Sequence, residues 1–229
     1  MILKIFPFEN EINIEEHHIA ILYVQDKTLF NRLANSFYQL TNGQDGQEKI
    51  ILVENDKILS IQDSLLFLPD LWGFDYNNKK MLNKLAQYIE RHYKLDAEEM
   101  EAFQKQVQLI QLGVQEIINE LPFQIDMKSA ILIPDILKML GIKIGDMTHA
   151  TLLERALAFI EIIQIFELCE TVVFVNLKNY FNNKEINELY RHAIHYKIKI
   201  MILEYGTFEE KLPYEKVWLI DEDYDEFTY

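Results

Sequence analysis

Four short apolar runs rich in β-branched residues constrain this chain most: Ile19–Val24, Thr171–Val175, Lys199–Leu203 and Val217–Ile220. Thr171–Val175 reads as a strand buried on both faces. Helical patterns follow two of the runs. Asp26 can cap a helix carrying Leu29, Phe30, Leu33, Phe37 and Leu40, and Asn182 or Asn183 one carrying Ile186, Leu189, Tyr190 and Ala193. Strand–helix–strand order at this length predicts right-handed crossovers in a mostly parallel sheet. Lys49–Val53 and Leu65–Leu68 are further candidate strands, the second closed by Pro69 and Gly73.

The middle of the chain has a different period. A helix from about Asn77 to Tyr93 precedes Asp96, which with Glu99 makes a capping-box start. Beyond it Met100, Phe103, Val107, Ile110, Val114, Ile117 and Leu121 alternate at spacings of three and four, a coiled-coil-like seam closed by Pro122. A short helix from Pro134 to Leu140 ends at Gly141, where a left-handed cap is expected. A second long helix, about Thr148 to Leu168, carries Leu153, Leu157, Ile160 and Ile163. The expected organisation is a discontinuous α/β head, residues 1–94 and 169–229, interrupted by an antiparallel α-helical leg, residues 95–168.

Charge narrows the function. With 22 basic and 37 acidic residues the net is −15, which opposes nucleic-acid binding over the whole surface and leaves room for one local basic stripe. By segment the basic and acidic counts are 10 and 13 (−3) for 1–94, 5 and 12 (−7) for 95–168, and 7 and 12 (−5) for 169–229. The single cysteine, Cys169, cannot form an internal disulfide and is expected to be a buried structural thiol in a reducing compartment. No run approaches the length needed to span a bilayer, and Met1–Phe6 is too short for a signal peptide, so a cytoplasmic protein without membrane partners is expected.

A parallel sheet invites a search for phosphate loops, and neither G-x-x-x-x-G-K-[ST] nor G-x-G-x-x-G occurs. The turns after Val24, Val53 and Val175 lack the glycines that phosphate cradling needs. The sheet is therefore expected to be ATPase-like without a phosphate loop, which argues against an enzyme. His17 and His18 are adjacent, a poor metal geometry, while His192 and His195 with Glu188 are as readily a solvated polar face as a ligand set. Glu116, Glu120 and Asp126 cluster where the seam helix ends and could offer hard oxygens to Ca²⁺, against the commoner reading of a solvated acidic helix end. Asp221–Glu226 reads as an acidic tail. Against this background Lys80, Lys84, Gln87 and Arg91 fall at i, i+4, i+7 and i+11, with Lys79 at the shoulder, and Leu82, Leu85, Ile89 and Tyr93 on another face. Such a stripe can meet successive phosphates without reading bases, although alone it is more often a solvated face.

Leu71-Trp-Gly-Phe-Asp-Tyr-Asn77 before a helix resembles a segment of the CRISPR-associated Csn-two family, the type II-A spacer-acquisition accessory protein. Similar segments follow in order: Lys138–Ile144, Phe159–Phe166 leading to Val172–Asn176, Lys184-Glu-Ile, Ile200–Glu204 and Ile220–Tyr224. The resemblance implies an α/β head with a helical leg, assembled as a homotetrameric ring that binds double-stranded DNA ends in its channel. It also implies no enzymatic activity, calcium-supported assembly, and CRISPR adaptation and effector proteins as partners. On this chain the resemblance points to Lys79, Lys80 and Lys84 as DNA-facing residues, to which the stripe adds Arg91, and to Glu116, Glu120 and Asp126 as calcium ligands. Two other readings stand beside it: a degenerate ATPase-like nucleotide-binding protein, and a protein-interaction module that docks through its helical arm and does not bind DNA.

Overall fold

The computed structural model describes residues 1–92, 96–145, 149–208 and 210–229. In chain order the elements are β1 (Ile2–Ile5), β2 (Ile12–Asn13), β3 (Ile19–Val24), α1 (Lys27–Thr41), β4 (Ile50–Glu54), β5 (Lys57–Leu59), α2 (Ile61–Ser64) and β6 (Leu65–Leu68). Then come α3 (Lys79–His92), α4 (Ala97–Asn119), α5 (Ile133–Met139), α6 (Leu152–Phe166) and β7 (Thr171–Val175). A 3₁₀ turn (Leu177–Asn179) leads to α7 (Asn183–His195), β8 (Lys199–Tyr205), β9 (Glu215–Ile220) and β10 (Glu226–Thr228).

Among the described residues, six strands form one sheet in the order β10-β9-β3-β8-β7-β6. Every pair is parallel except β9–β10, so the four apolar runs all enter a mostly parallel sheet, as their composition demands. All six residues of β3, the strand between β8 and β9, are buried. One face of the sheet, with Ala20, Leu22, Val173, Met201 and Leu203, shares a core with Leu29, Leu33 and Phe37 of α1. Asp26 starts α1 as expected, its Oδ1 accepting the Leu29 N–H at 2.7 Å.

The run Lys49–Val53 departs from the expected scheme. It is β4, and it lies in a second, antiparallel sheet of order β2-β1-β4-β5, with Ile2 opposite Val53. Its burial is one-sided, Ile50 and Leu52 inward and the others only half-covered, which suits a sheet packed on one face. The turn after Val53 is therefore a hairpin and not a strand-to-helix connection. Asn55 and Asp56, at φ 51° and 61°, provide the left-handed pair that a two-residue hairpin needs. Asp221–Glu226 is likewise no tail: Asp221 Oδ1 accepts the N–H groups of Asp223 and Asp225, and β10 returns along β9. Cys169 is half-buried, not buried, beside a cavity of about 570 Å³ with Glu54, Glu167 and Glu170 on its wall.

The chain divides into two compact units, an α/β unit of 1–74 with 146–229 and a helical unit of 75–145. This division differs from 1–94, 95–168 and 169–229. The sequence boundary at 94, the helix end at Tyr93 and the helix start at Thr148 lie outside the described residues. Helix α6, expected in the leg, begins after the Thr151–Glu154 capping box and buries Ala156, Phe159, Ile160 and Ile163 within the α/β unit, where it packs on α7. Helix α3, expected in the head, packs on α5 in the helical unit. The charge partition changes with the boundary. The helical unit holds 9 basic and 10 acidic residues, net −1, and the α/β unit 13 and 27, net −14.

Three buried ionisable side chains, Tyr190, Glu204 and Glu215, surround the half-buried Lys178 in the α/β unit. Glu215 Oε1 accepts from Lys178 Nζ at 2.9 Å and from the Tyr190 hydroxyl at 2.8 Å, and its Oε2 from the Leu212 N–H at 2.8 Å. Glu204, 2% exposed, accepts the Lys178 backbone N–H at 2.8 Å. Burial pushes the Glu204 carboxyl from the ordinary 4.5 up to about 7, opposed by the Lys178 N–H and charge. A carboxyl with a raised folded-state pKa contributes fully below pH 4.5 and loses that contribution as pH rises through 7. The loss is about 3 kcal/mol. Glu204→Gln is therefore expected to retain at pH 8 stability that the parent loses between pH 5 and pH 8. Urea midpoints at the two pH values measure it, and equal pH dependence in both proteins would refute it.

Candidate nucleic-acid interface

The basic stripe lies on α3, and local contacts order the segment that precedes it. Asp70 Oδ1 accepts the Trp72 N–H at 2.8 Å, and its carboxylate lies so close to Gly73 that a side chain there would collide with it. Phe74 meets Phe159 edge-on at 4.8 Å between ring centroids. Asp75 Oδ1 accepts the Asn77 N–H at 2.8 Å, and Asn78 Oδ1 the Met81 N–H at 3.1 Å at the start of α3. Met81 and Ala86 are buried, whereas Lys79, Lys80, Gln87 and Arg91 are exposed and Lys84 is half-buried.

Residues some 60 positions along the chain join this helix. The Asn77 side chain accepts the Ile144 N–H at 2.8 Å and donates to the Ile144 carbonyl at 3.2 Å. This two-way amide clamp sets Lys143 beside the start of α3. Gly141, at φ +64°, ends α5 as the sequence predicted and turns the chain toward the clamp. Leu82, Leu85 and Ile89 face Leu137 and Ile142 across a groove of about 140 Å³ whose wall includes Lys138 and Lys143, both exposed. Among the described residues, none of Lys79, Lys80, Lys84, Lys138 and Lys143 makes an ion pair. Lys128 is different: it pairs with Asp135 at 2.5 Å and, with the Leu132 N–H, holds the Asp135 carboxyl below its ordinary value. Lys138 and Lys143 belong to no stripe in the sequence. The packing of α5 on α3 and the Asn77–Ile144 contact bring them there.

The other candidate residues do not come together in this way. Glu116, Glu120 and Asp126 are all exposed, and among the described residues no three His, Cys, Asp or Glu side chains form a group able to hold a metal. Among the described residues they do not make the cage of six to eight oxygens that Ca²⁺ requires. The seam along α4 is continuous but only partly covered. Val107 is buried and Met100 and Phe103 half-buried, while Ile110, Val114, Ile117 and Leu121 are 53%, 42%, 66% and 41% exposed. At the α1 N-terminus, where a parallel sheet of this kind would seat a phosphate, Asp26 already places its own carboxylate, 3.3 Å from the Tyr224 hydroxyl. An anion arriving there would meet a like charge.

The sequence pattern of the family described as CRISPR-associated protein (Cas_Csn2) matches residues 43–224. This chain belongs to that family. The Cas_Csn2 match includes the segment ending at Asn77 and the segment ending at Ile144, which the amide clamp joins. The crystal structure of Stu0660 of Streptococcus thermophilus is 14% identical and aligns with 100% of this chain and 76% of its own, at a TM-score of 0.63, so the two share a fold. A nucleotide-free ATP-binding cassette from an ABC transporter is a weaker likeness, 9% identical over 95% of this chain and 87% of its own, at a TM-score of 0.45. Among the described residues no helix is long and apolar enough to cross a membrane.

Proposed function

We propose that this Cas_Csn2 member binds double-stranded DNA through its phosphates, without reading sequence and without catalysing a reaction, during the acquisition of CRISPR spacers. The observation that carries the proposal is the α3–α5 surface, where five lysines without ion pairs stand together in a helical unit of net charge −1. Flexible lysines on a helical surface suit phosphates as point charges and specify no base. The −14 of the α/β unit disfavours duplex over most of that unit and supports the α3–α5 surface as the duplex site.

The proposal includes a ring of four copies with DNA ends threaded through its channel and CRISPR adaptation and effector proteins as partners. The half-covered α4 seam supports assembly, since Ile110, Ile117 and Leu121 would gain from burial against another copy. Glu116, Glu120 and Asp126 would offer oxygens to a calcium ion that supports assembly, so assembly is to be measured with and without Ca²⁺. Two measurements test the reading. The mass in solution is expected near four times 27.3 kDa, and a stable monomer counts against the ring. In a mobility shift at low salt, linear duplex is expected to be retained and closed circular duplex to be largely excluded. If linear duplex runs unretarded, the protein-interaction reading replaces this one.

A further inference from the structure

The α/β unit carries −14, yet several of its cations gather around one outward surface. Helix α7 buries Ile186, Leu189, Tyr190 and Ala193 and turns Lys184, Glu188, Arg191 and His195 outward at i, i+4, i+7 and i+11, the spacing of the α3 stripe. Lys184, Arg191 and His195 line an open cleft of about 620 Å³. A second cleft, of about 540 Å³, is lined by Lys211, Tyr214 and Lys216. The clefts meet at Pro213, which borders both.

Most nearby carboxylates are already engaged. Glu215 is buried on Lys178, Tyr190 and the Leu212 N–H; Glu15 binds Lys216 at 2.9 Å; Glu161 lies 3.2 Å from His192 Nε2. Among the described residues lining the clefts, Glu188 is the exposed carboxylate. Lys184, Arg191 and Lys211 make no ion pair among the described residues. The surface is also firmly mounted. Glu215 Oε2 holds the Leu212 N–H, and Ile19 N–H donates to the Tyr214 carbonyl at 2.8 Å, which fixes the loop that carries Lys211 and Tyr214.

The size and chemistry select the ligand. From Lys184 to His195 the helix rises about 16 Å, more than one nucleotide occupies and suited to several successive phosphates. The Tyr214 ring, 42% exposed, stands among the cations, the combination of charge and stacking face that suits an unpaired strand. We propose that this surface binds a single nucleic-acid strand, with phosphates on Lys184, Arg191 and Lys211 and a base stacked on Tyr214. The proposal is independent of the duplex reading, which rests on α3 and α5.

The test is fluorescence anisotropy of the full chain with labelled twenty-nucleotide oligo-dT, the matching oligo-U, and a labelled duplex, from about 50 to about 200 mM salt. R191E/K211E is expected to lower strand affinity at least tenfold and to flatten its salt dependence by about 1.4 log units per decade, with duplex affinity unchanged within about twofold. Tyr214→Asn, which removes the ring and suits the φ of +72°, is expected to weaken the strand and not the duplex. The relative affinities of the oligomers assign the strand to DNA or RNA. Unchanged strand affinity in R191E/K211E overturns the proposal, as does a parent protein that binds neither oligomer at the lower salt. Equal loss of strand and duplex also overturns it, because the surface would then belong to the duplex site.

Discussion

A protein carrying Lys80→Glu and Lys84→Glu is expected to lose about 100-fold in duplex affinity at low salt. Each lysine neutralising a phosphate releases a bound counterion, so removing two contacts flattens the salt dependence by about 1.8 log units per decade. Reversing the charges adds repulsion to that loss. The effect should be alike on duplexes of unrelated sequence, since lysines meeting phosphates carry no base readout. Neither lysine makes an ion pair among the described residues, and Lys80 is exposed, so the fold should survive the change. Lys143→Glu should deepen the defect, because Asn77 and Ile144 hold that residue beside the start of α3. Duplex titrations at several salt concentrations, with a thermal melt as control, decide the matter. Undiminished affinity in a folded double variant removes DNA from this surface.

The second large effect is on stability. Lys178→Met is expected to destabilise the protein by about 3 kcal/mol, because it leaves the fully buried Glu215 carboxylate without its half-buried cation. Burial would by itself lower the Lys178 pKa, but the hydrogen bond and charge of Glu215 outweigh it and keep the ammonium charged. Without that ammonium, Glu215 retains the Tyr190 hydroxyl and the Leu212 N–H but faces them with an uncompensated charge. The same burial and the Glu215 charge already hold the Tyr190 hydroxyl well above its ordinary pKa. Adding Glu215→Gln to Lys178→Met should recover part of the loss, since an uncharged amide removes the cost of a lone buried carboxylate. Urea unfolding of the single and double variants measures this coupling. A single variant within about 1 kcal/mol of the parent would show that the pair contributes little.

Particular residues show where local information ends. The caps expected at Asp26, Asp96 and Asn182 all form, because a cap depends on three or four neighbouring residues. Strand β4 was visible as a strand but not as a member of the antiparallel sheet, since its partner β1 lies about 50 residues earlier. The acidic stretch 221–226 looked solvated by composition, yet Glu226 accepts the N–H groups of Glu9 and Asn10 at 2.7 and 2.8 Å across more than two hundred residues. Helix α6 resembled a leg helix because a helical period does not say which body will cover it. Lys79, Lys80, Lys84 and Arg91 were legible as one stripe because a single helix aligns them.

By itself the sequence determined the parallel sheet, the helices that cross over it, the long seam helix and the lysine stripe. Each follows from residues within a few turns or from a run of apolar side chains whose only stable place is a buried sheet. The tertiary structure alone decided which helices share a unit, and with it where the charge lies, −1 on the helical unit and −14 on the α/β unit. It alone brought Lys138 and Lys143 to α3, through the packing of α5 on α3 and one asparagine amide. The reason is physical: hydrophobic periodicity specifies that a face must be covered, whereas its partner is chosen by packing and hydrogen bonds between residues far apart in the chain.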